Sequence, residues 1–230
     1  MNMEKDLNRT FISTVNVPSD TKNYFLEQSG EYKEAMMMYS CAIKEVKTKL
    51  EVLNEELAIK RINSPIEFIK SRLKKPESIA KKLEKEGYEV SIQSAMDHLN
   101  DIAGIRIVCS FIDDIYALAK MVAKQDDITV IKVKDYIKEP KENGYRSYHM
   151  IVEIPVFFSD RKQNLRVEIQ IRTIAMDFWA SLEHQLKYKK NVVDEEKIMS
   201  ELKECATLIS YTDVKMQEIK EKIHSKDEEL

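Results

Sequence analysis

Between residue 21 and about residue 58, apolar positions recur at steps of three and four. Tyr32, Tyr39, Ala42, Val46, Leu50, Leu53 and Leu57 fall on one face, which predicts a long amphipathic helix. The tripeptide "NSP" at 63–65 interrupts it. Ser64 reads as an N-cap and Pro65 as the first position of a second helix. That helix runs through "IEFIKSRLKKPESIAKKLEKEG", is kinked or broken near Pro76 and is closed by Gly87. The period then drops from near 3.6 to 2. "GIRIVCS" (104–110), "ITVIKVK" (128–134), "SYHMIVEIPV" (147–156) and "LRVEIQIR" (165–172) alternate and are rich in β-branched residues, so each predicts a strand. "DDIYALAKMVAK" between the first two, and "AMDFWASLEHQLKY" after the fourth, return to helical spacing. The order predicts an α+β fold, a mixed four- to five-stranded sheet flanked by helices, with helical arms at both ends.

The last helix, from about 194 to 225, carries Ile198, Leu202, Cys205, Ile209, Thr212, Met216, Ile219 and Ile223 at alternating steps of four and three. This is a heptad seam. Packing on the chain's own domain would use such a seam, and so would self-association. The strongly charged remaining faces favour self-association. The expected division is a poorly ordered stretch at 1–20, a helical arm at 21–62, a central domain at 63–190 and a C-terminal helix for assembly at 191–230.

Composition narrows the classes. A third of the 230 residues are charged, yet the net charge is only −3, which disfavours a general polyanion binder and makes nucleic acid an unfavoured partner. No run of 18 apolar residues is present, so no membrane partner is expected. "MNMEKDLNRTF" lacks the layout of a signal peptide. Cys41, Cys109 and Cys205 are odd in number and sit in apolar patterns, so they read as reduced core residues of a cytoplasmic protein. The four glycines are far apart and build neither a P-loop nor a G-x-G-x-x-G turn, so any bound phosphate must be held by side-chain cations.

"KENGYRSYH" (141–149) places an Asn-Gly turn between a polar run and a strand. It is either a plain hairpin turn or a strand mouth that stacks a nucleotide. In "RVEIQIR", Val167, Ile169 and Ile171 face one way, and Arg166, Glu168, Gln170 and Arg172 face the other. That second face is either a solvated sheet surface or the polar floor of a site. Asp101 stands just before a strand and Arg106 lies within it. Two carboxylates from neighbouring strand ends suit Mg²⁺, whose shell is completed by water and substrate phosphate. "SRLKKPESIAKK" adds Arg72, Lys74, Lys75, Lys81 and Lys82 around Ser78, as a solvated face or a phosphate clamp.

"DIAGIRIVC", "KDYI", "PKENGYRSYH", "VEIQIRT" and "FWASLEHQLKYK", in this order, resemble the synthetase domain of the RelA/SpoT superfamily, over about residues 45 to 225. The chain as a whole resembles a small alarmone synthetase, closer to the RelP-like than to the RelQ-like subgroup. The resemblance implies a nucleotidyltransferase-like synthetase fold at 63–190. It also implies a GTP diphosphokinase without hydrolase activity, acting in the stringent response. Such enzymes transfer a pyrophosphate group from ATP to the ribose 3′-hydroxyl of GDP or GTP, with Mg²⁺, and release AMP. GMP is left open as a third acceptor. By the same resemblance, Asp101 and Glu168 hold the metal and Glu168 takes the 3′-hydroxyl proton. Arg72 and Arg106 sandwich the adenine, while Lys74, Ser78 and Lys82 hold the ATP phosphates. Tyr145 stacks the guanine, with Lys134, Lys141, His149, Gln170 and Asp177 around the acceptor and Arg146 and Ser147 supporting the loop. Lys134 and Asp177 stand where some relatives have Arg and Asn. A homotetramer is implied as well. Two rivals share the pattern: a toxin-type relative that pyrophosphorylates the tRNA 3′ end, and an inactive nucleotide- or RNA-binding oligomer.

Overall fold

The computed structural model describes residues 29–60, 64–187 and 195–227. The expectations for residues 1–28 lie outside the described residues. Helix α1 (Gly30–Lys60) leads into strand β1 (Ile66–Leu73) and helices α2 (Pro76–Glu86) and α3 (Ile92–His98). Strand β2 (Ala103–Cys109), helix α4 (Ile112–Ala123) and strands β3 (Thr129–Asp135), β4 (Tyr148–Phe157) and β5 (Lys162–Thr173) follow. Helices α5 (Ile174–Lys187) and α6 (Glu195–Asp227) end the described chain.

The five strands form one mixed sheet in the order β1-β2-β5-β4-β3. Only β2 and β5 run parallel; the other neighbours are antiparallel. The sheet has one apolar and one polar side because each inner strand alternates. Ile105, Ile107, Met150, Val152, Ile169 and Ile171 are buried in one cluster with Ala42, Val46 and Leu50 of α1 and Ile115, Leu118 and Val122 of α4. The segment expected to be an N-terminal arm therefore supplies a layer of the core. Among the described residues, no helix is long and apolar enough to cross a membrane.

Two expectations need correction, and one helix lies beyond them. Residues 66–73 are a strand, not the start of a second helix. β1 is an edge strand whose outer positions are exposed, and its pairing with β2 overrides a pattern that fits three- and four-residue steps equally well. Pro76 reinforces this by holding Lys75 extended (φ −67°, ψ 148°), so α2 begins only at Pro76; Gly87, at φ 80°, ends it as expected. Ser64 caps no helix. Its hydroxyl donates to Asn54 Oδ1 at 2.6 Å. Helix α3 was not foreseen at all, although Ser91 is a conventional N-cap that accepts from the Ser94 amide at 3.1 Å.

The heptad seam of α6 divides. Leu202 and Ile209 pack with Trp179, Ala180 and Ala206, whereas Cys205, Met216, Ile219 and Ile223 are exposed. Cys205 is thus a surface residue and not part of the core. Trp179 Nε1 donates to the Leu202 carbonyl at 2.9 Å, tying α5 to α6.

If α1 is a core layer, Leu50→Ala should lower stability by about 2–5 kcal/mol, the usual range for emptying a fully buried Leu site. Urea denaturation measures it, and a loss below about 1 kcal/mol would show that α1 packs only loosely.

Candidate active site

Cross-strand register builds the site. Lys70, Arg106, Gln170, His149 and Lys134 are successive partners across all five strands, so their side chains lie in one row on the polar side. The next row holds Arg72, Gly104, Glu168, Ile151 and Lys132. Residues separated by up to a hundred positions in sequence thus converge because two of the ladder's steps join distant strands.

At one end sits Asp101. Its two oxygens are taken by two lysines: Lys74 Nζ at 2.7 Å from Oδ2 and Lys82 Nζ at 2.9 Å from Oδ1. Burial pushes this carboxyl up, but the two ammonium groups outweigh it and hold its pKa below the ordinary value. Glu168 behaves alike. Burial raises it, and the His149 contact and the Gln170 amide bring it below the usual range. The charge of Asp101 also reaches Glu168, so the two carboxylates are electrostatic neighbours.

Around Glu168 the polar groups close into a ring. Gln170 Nε2 donates to Glu168 Oε2 at 2.9 Å, and Arg172 Nη2 donates to Gln170 Oε1 at 3.1 Å. The same Nη2 donates to the Tyr145 phenol oxygen at 2.6 Å. The phenol oxygen lies 2.9 Å from His149 Nε2, and His149 Nδ1 lies 3.3 Å from Glu168 Oε1. Arg172 Nη1 donates to Asp177 Oδ1 at 2.9 Å, and Arg106 Nη1 lies 3.3 Å from the same oxygen. Burial and the repulsion of Arg172 lower the pKa of Arg106, while Asp177 opposes them.

Tyr145 is half-buried. Tyr136 and His149 meet its ring edge to face, at 6.0 and 5.9 Å between centroids. Lys141 Nζ stands 4.9 Å from its centroid and 4.8 Å from that of Tyr136. The loop is set by Gly144 at φ +87°, a region that favours glycine. The Gly144 amide closes the turn on the Lys141 carbonyl at 2.8 Å, and Asn143 Oδ1 accepts from the Tyr145 amide at 3.2 Å. A Cβ at Gly144 would lie 2.5 Å from the Cβ of Ala206, so α6 approaches the loop at glycine distance.

The structure therefore gathers Asp101 with Lys74 and Lys82, and Glu168 with Tyr145, His149, Gln170, Arg106 and Asp177. Arg72 lies across Gly104, and Ser78 is exposed in the first turn of α2. Lys134 is exposed beside His149 in the ladder. Two residues without an assigned role prove central. Arg172 was legible only as one of four polar residues on a strand. Tyr136 lay in "KDYI" with no signal that its ring would meet Tyr145.

A family described as "Region found in RelA / SpoT proteins" matches residues 71–193. The chain belongs to the RelA/SpoT family. It is 44% identical over 193 residues to the GTP pyrophosphokinase YwaC of Bacillus subtilis, covering 84% of this chain and 92% of that protein. Its fold is similar to the crystal structure of small alarmone synthetase 2 from Bacillus subtilis (TM-score 0.75, 44% identity, 84% of this chain and 99% of that one). It is also similar to small alarmone synthetase 1 from the same organism bound to its product pppGpp (TM-score 0.77, 36% identity, 85% and 99%).

Gly144→Ala must both strain the backbone and displace α6. A loss of stability of about 1–3 kcal/mol is expected. Thermal unfolding of the variant checks it, and an unchanged midpoint would mean that the loop and α6 are not in contact.

Proposed function

We propose that this chain is a Mg²⁺-dependent ATP:GTP/GDP 3′-pyrophosphotransferase that makes (p)ppGpp and AMP. The observation that carries this reading is the pair of ionised carboxylates, Asp101 and Glu168, between a lysine and arginine group on one side and an aromatic loop on the other. A GTP pyrophosphokinase relative and a pppGpp-bound neighbour with the same fold support it.

Two half-buried, ionised oxygen donors fit a hard dication. Among the described residues no cluster of three or more His, Cys, Asp or Glu could hold a metal, so substrate phosphate and water would complete the shell. When bound, Mg²⁺ would neutralise charge building on the ATP phosphates. Asp101 and Glu168 would hold it.

The remaining chemistry falls to side chains. Arg72 and Arg106 offer planar guanidinium faces to the adenine. Lys74 and Lys82, now on Asp101, turn their ammonium groups to phosphate, with Ser78 on the first turn of α2. Tyr145 stacks the guanine, while Lys141, His149, Gln170, Lys134 and Asp177 surround the acceptor. Glu168 accepts the proton of the 3′-hydroxyl as that oxygen bonds to the β-phosphorus of ATP. The bond from that phosphorus to the α–β bridging oxygen breaks, and AMP leaves. His149 and Gln170 hold Glu168 ionised and oriented until then. The nucleotide substrates also argue for the cytoplasm.

The test is direct. Wild-type protein with ATP, GDP and Mg²⁺ should yield AMP and a 3′-pyrophosphorylated guanosine, and Glu168→Gln should reduce turnover by at least about 10³-fold while folding is kept. Label transferred to the 3′ end of tRNA and not to GDP would overturn the reading. So would a variant with more than a tenth of the wild-type rate.

The chain assembles as a homotetramer in this reading. Ile174, Phe178, Leu182 and Leu186 form an exposed row along α5, and Leu208, Tyr211, Met216, Ile219 and Ile223 are exposed on α6. Single exposed apolar residues are ordinary, but rows at helical spacing need cover. Ile219→Glu should give a species smaller than wild type in light scattering. A wild type that is monomeric at micromolar concentration would refute assembly.

A further inference from the structure

We propose that Arg172 is a positioning residue that locks the acceptor platform Tyr145 to the base Glu168, so that the guanine nucleotide is held in register with proton removal. The inference rests on the activity proposed above.

Arg172 is 3% exposed, with its charge inside the protein at the end of β5. Each arm of its fork has a partner. Nη1 reaches Asp177 Oδ1 (2.9 Å), Nη2 reaches the Tyr145 oxygen (2.6 Å) and Gln170 Oε1 (3.1 Å), and Nε reaches Ser147 Oγ (3.4 Å). Its guanidinium carbon also lies 5.1 Å from the Tyr145 ring centroid. Two of these partners continue to Glu168, one through Gln170 and one through Tyr145 and His149. The ring Arg172–Gln170–Glu168–His149–Tyr145 therefore closes on itself. The third, Asp177, continues to Arg106 on the adenine side.

Strength alone does not account for this arrangement. A buried ion pair is often no more stable than apolar residues of the same volume. Geometry accounts for it better. A planar fork fixes several acceptors at set angles, which a single ammonium on a flexible stem does not. The Tyr145 ring is packed by Tyr136 and His149, and Arg172 adds the contact that fixes its oxygen. Arg172 donates to the Tyr145 oxygen, that oxygen pairs with His149 Nε2, and His149 Nδ1 faces Glu168, so one fork fixes the whole line of contacts.

Two variants separate positioning from mere packing. Arg172→Lys keeps a cation for Asp177 and loses the fork. Tyr145→Phe keeps the ring for stacking and loses only the oxygen. GDP affinity by calorimetry and KM values for GDP and ATP are measured for each. GDP binding should weaken about tenfold in both, the loss of a hydrogen bond to a charged group, with ATP affinity changed less than about twofold. The double variant should be little worse than Arg172→Lys alone, since both changes cut the same link. GDP affinity within twofold of wild type in Tyr145→Phe would overturn the proposal, and it decides the matter even if Arg172→Lys fails to fold. Equal weakening of both nucleotides would overturn it too, as general damage. Calorimetry does not depend on turnover. A wild type that binds GDP but transfers nothing therefore refutes the proposed reaction and leaves the Arg172 result readable.

Discussion

A β-strand turns successive side chains to opposite faces, and β5 uses that period of two to serve two environments at once. Leu165, Val167, Ile169 and Ile171 go into the core, while Glu168, Gln170 and Arg172 go to the polar side. β5 lies at the centre of the sheet, between β2 and β4, so its register fixes everything beside it. A slip of one residue would bury Glu168 against α1 and put Ile169 in the cleft. The core therefore enforces the position of the site: the same apolar packing that stabilises the sheet sets the row Lys70, Arg106, Gln170, His149, Lys134.

Charge explains how a chain of net charge −3 can offer a home to polyphosphates. Two of the acids on the polar side of the sheet are paired with lysine or arginine. Asp101 answers Lys74 and Lys82, and Asp177 answers Arg106 and Arg172. These pairs keep like charges together in a half-buried cleft at tolerable repulsion. They are also provisional, because a phosphate oxygen satisfies an ammonium group as well as a carboxylate does. Among the described residues, no buried side-chain nitrogen or oxygen is left without a partner. The polar side is thus held by ion pairs of a kind that an anion can replace.

The inner strands were legible because alternation is local and strong. Glu168, Gln170 and Arg106 could be assigned to the polar face from their neighbours alone. β1 was not legible, since Ile66, Ile69 and Leu73 fit a helical face as well as a strand, and only pairing with β2 decides between them. Convergence was not legible either. Nothing in "VEIQIRT" and "ENGYRSYH" says that Arg172 and Tyr145 meet. That contact depends on the antiparallel register of β4 on β5, a property of the ladder and not of either segment. The seam of α6 failed for the same reason. Heptad spacing identifies an apolar stripe, but Leu202 and Ile209 found Trp179 within their own chain while Ile219 and Ile223 are exposed among the described residues.

Across its width, α6 also presents two faces with different surroundings. Its inner face meets the loop that carries Tyr145: Ala206 sits on Gly144, and Arg146 Nη1 donates to the Ala206 carbonyl at 3.3 Å. Further along the same face, Asp213 accepts from Thr173 Oγ1 at 2.6 Å, and that oxygen in turn caps α5 by accepting from the Met176 amide at 3.1 Å. The opposite face carries the exposed Leu208 and Tyr211. A packed helix moves as a rigid element, so whatever covers the outer face also holds the inner one. Gly144 lets α6 lie this close to the loop. Its missing side chain therefore does more than permit a turn: it puts the Tyr145 loop and the exposed Leu208 and Tyr211 on opposite sides of a single helix.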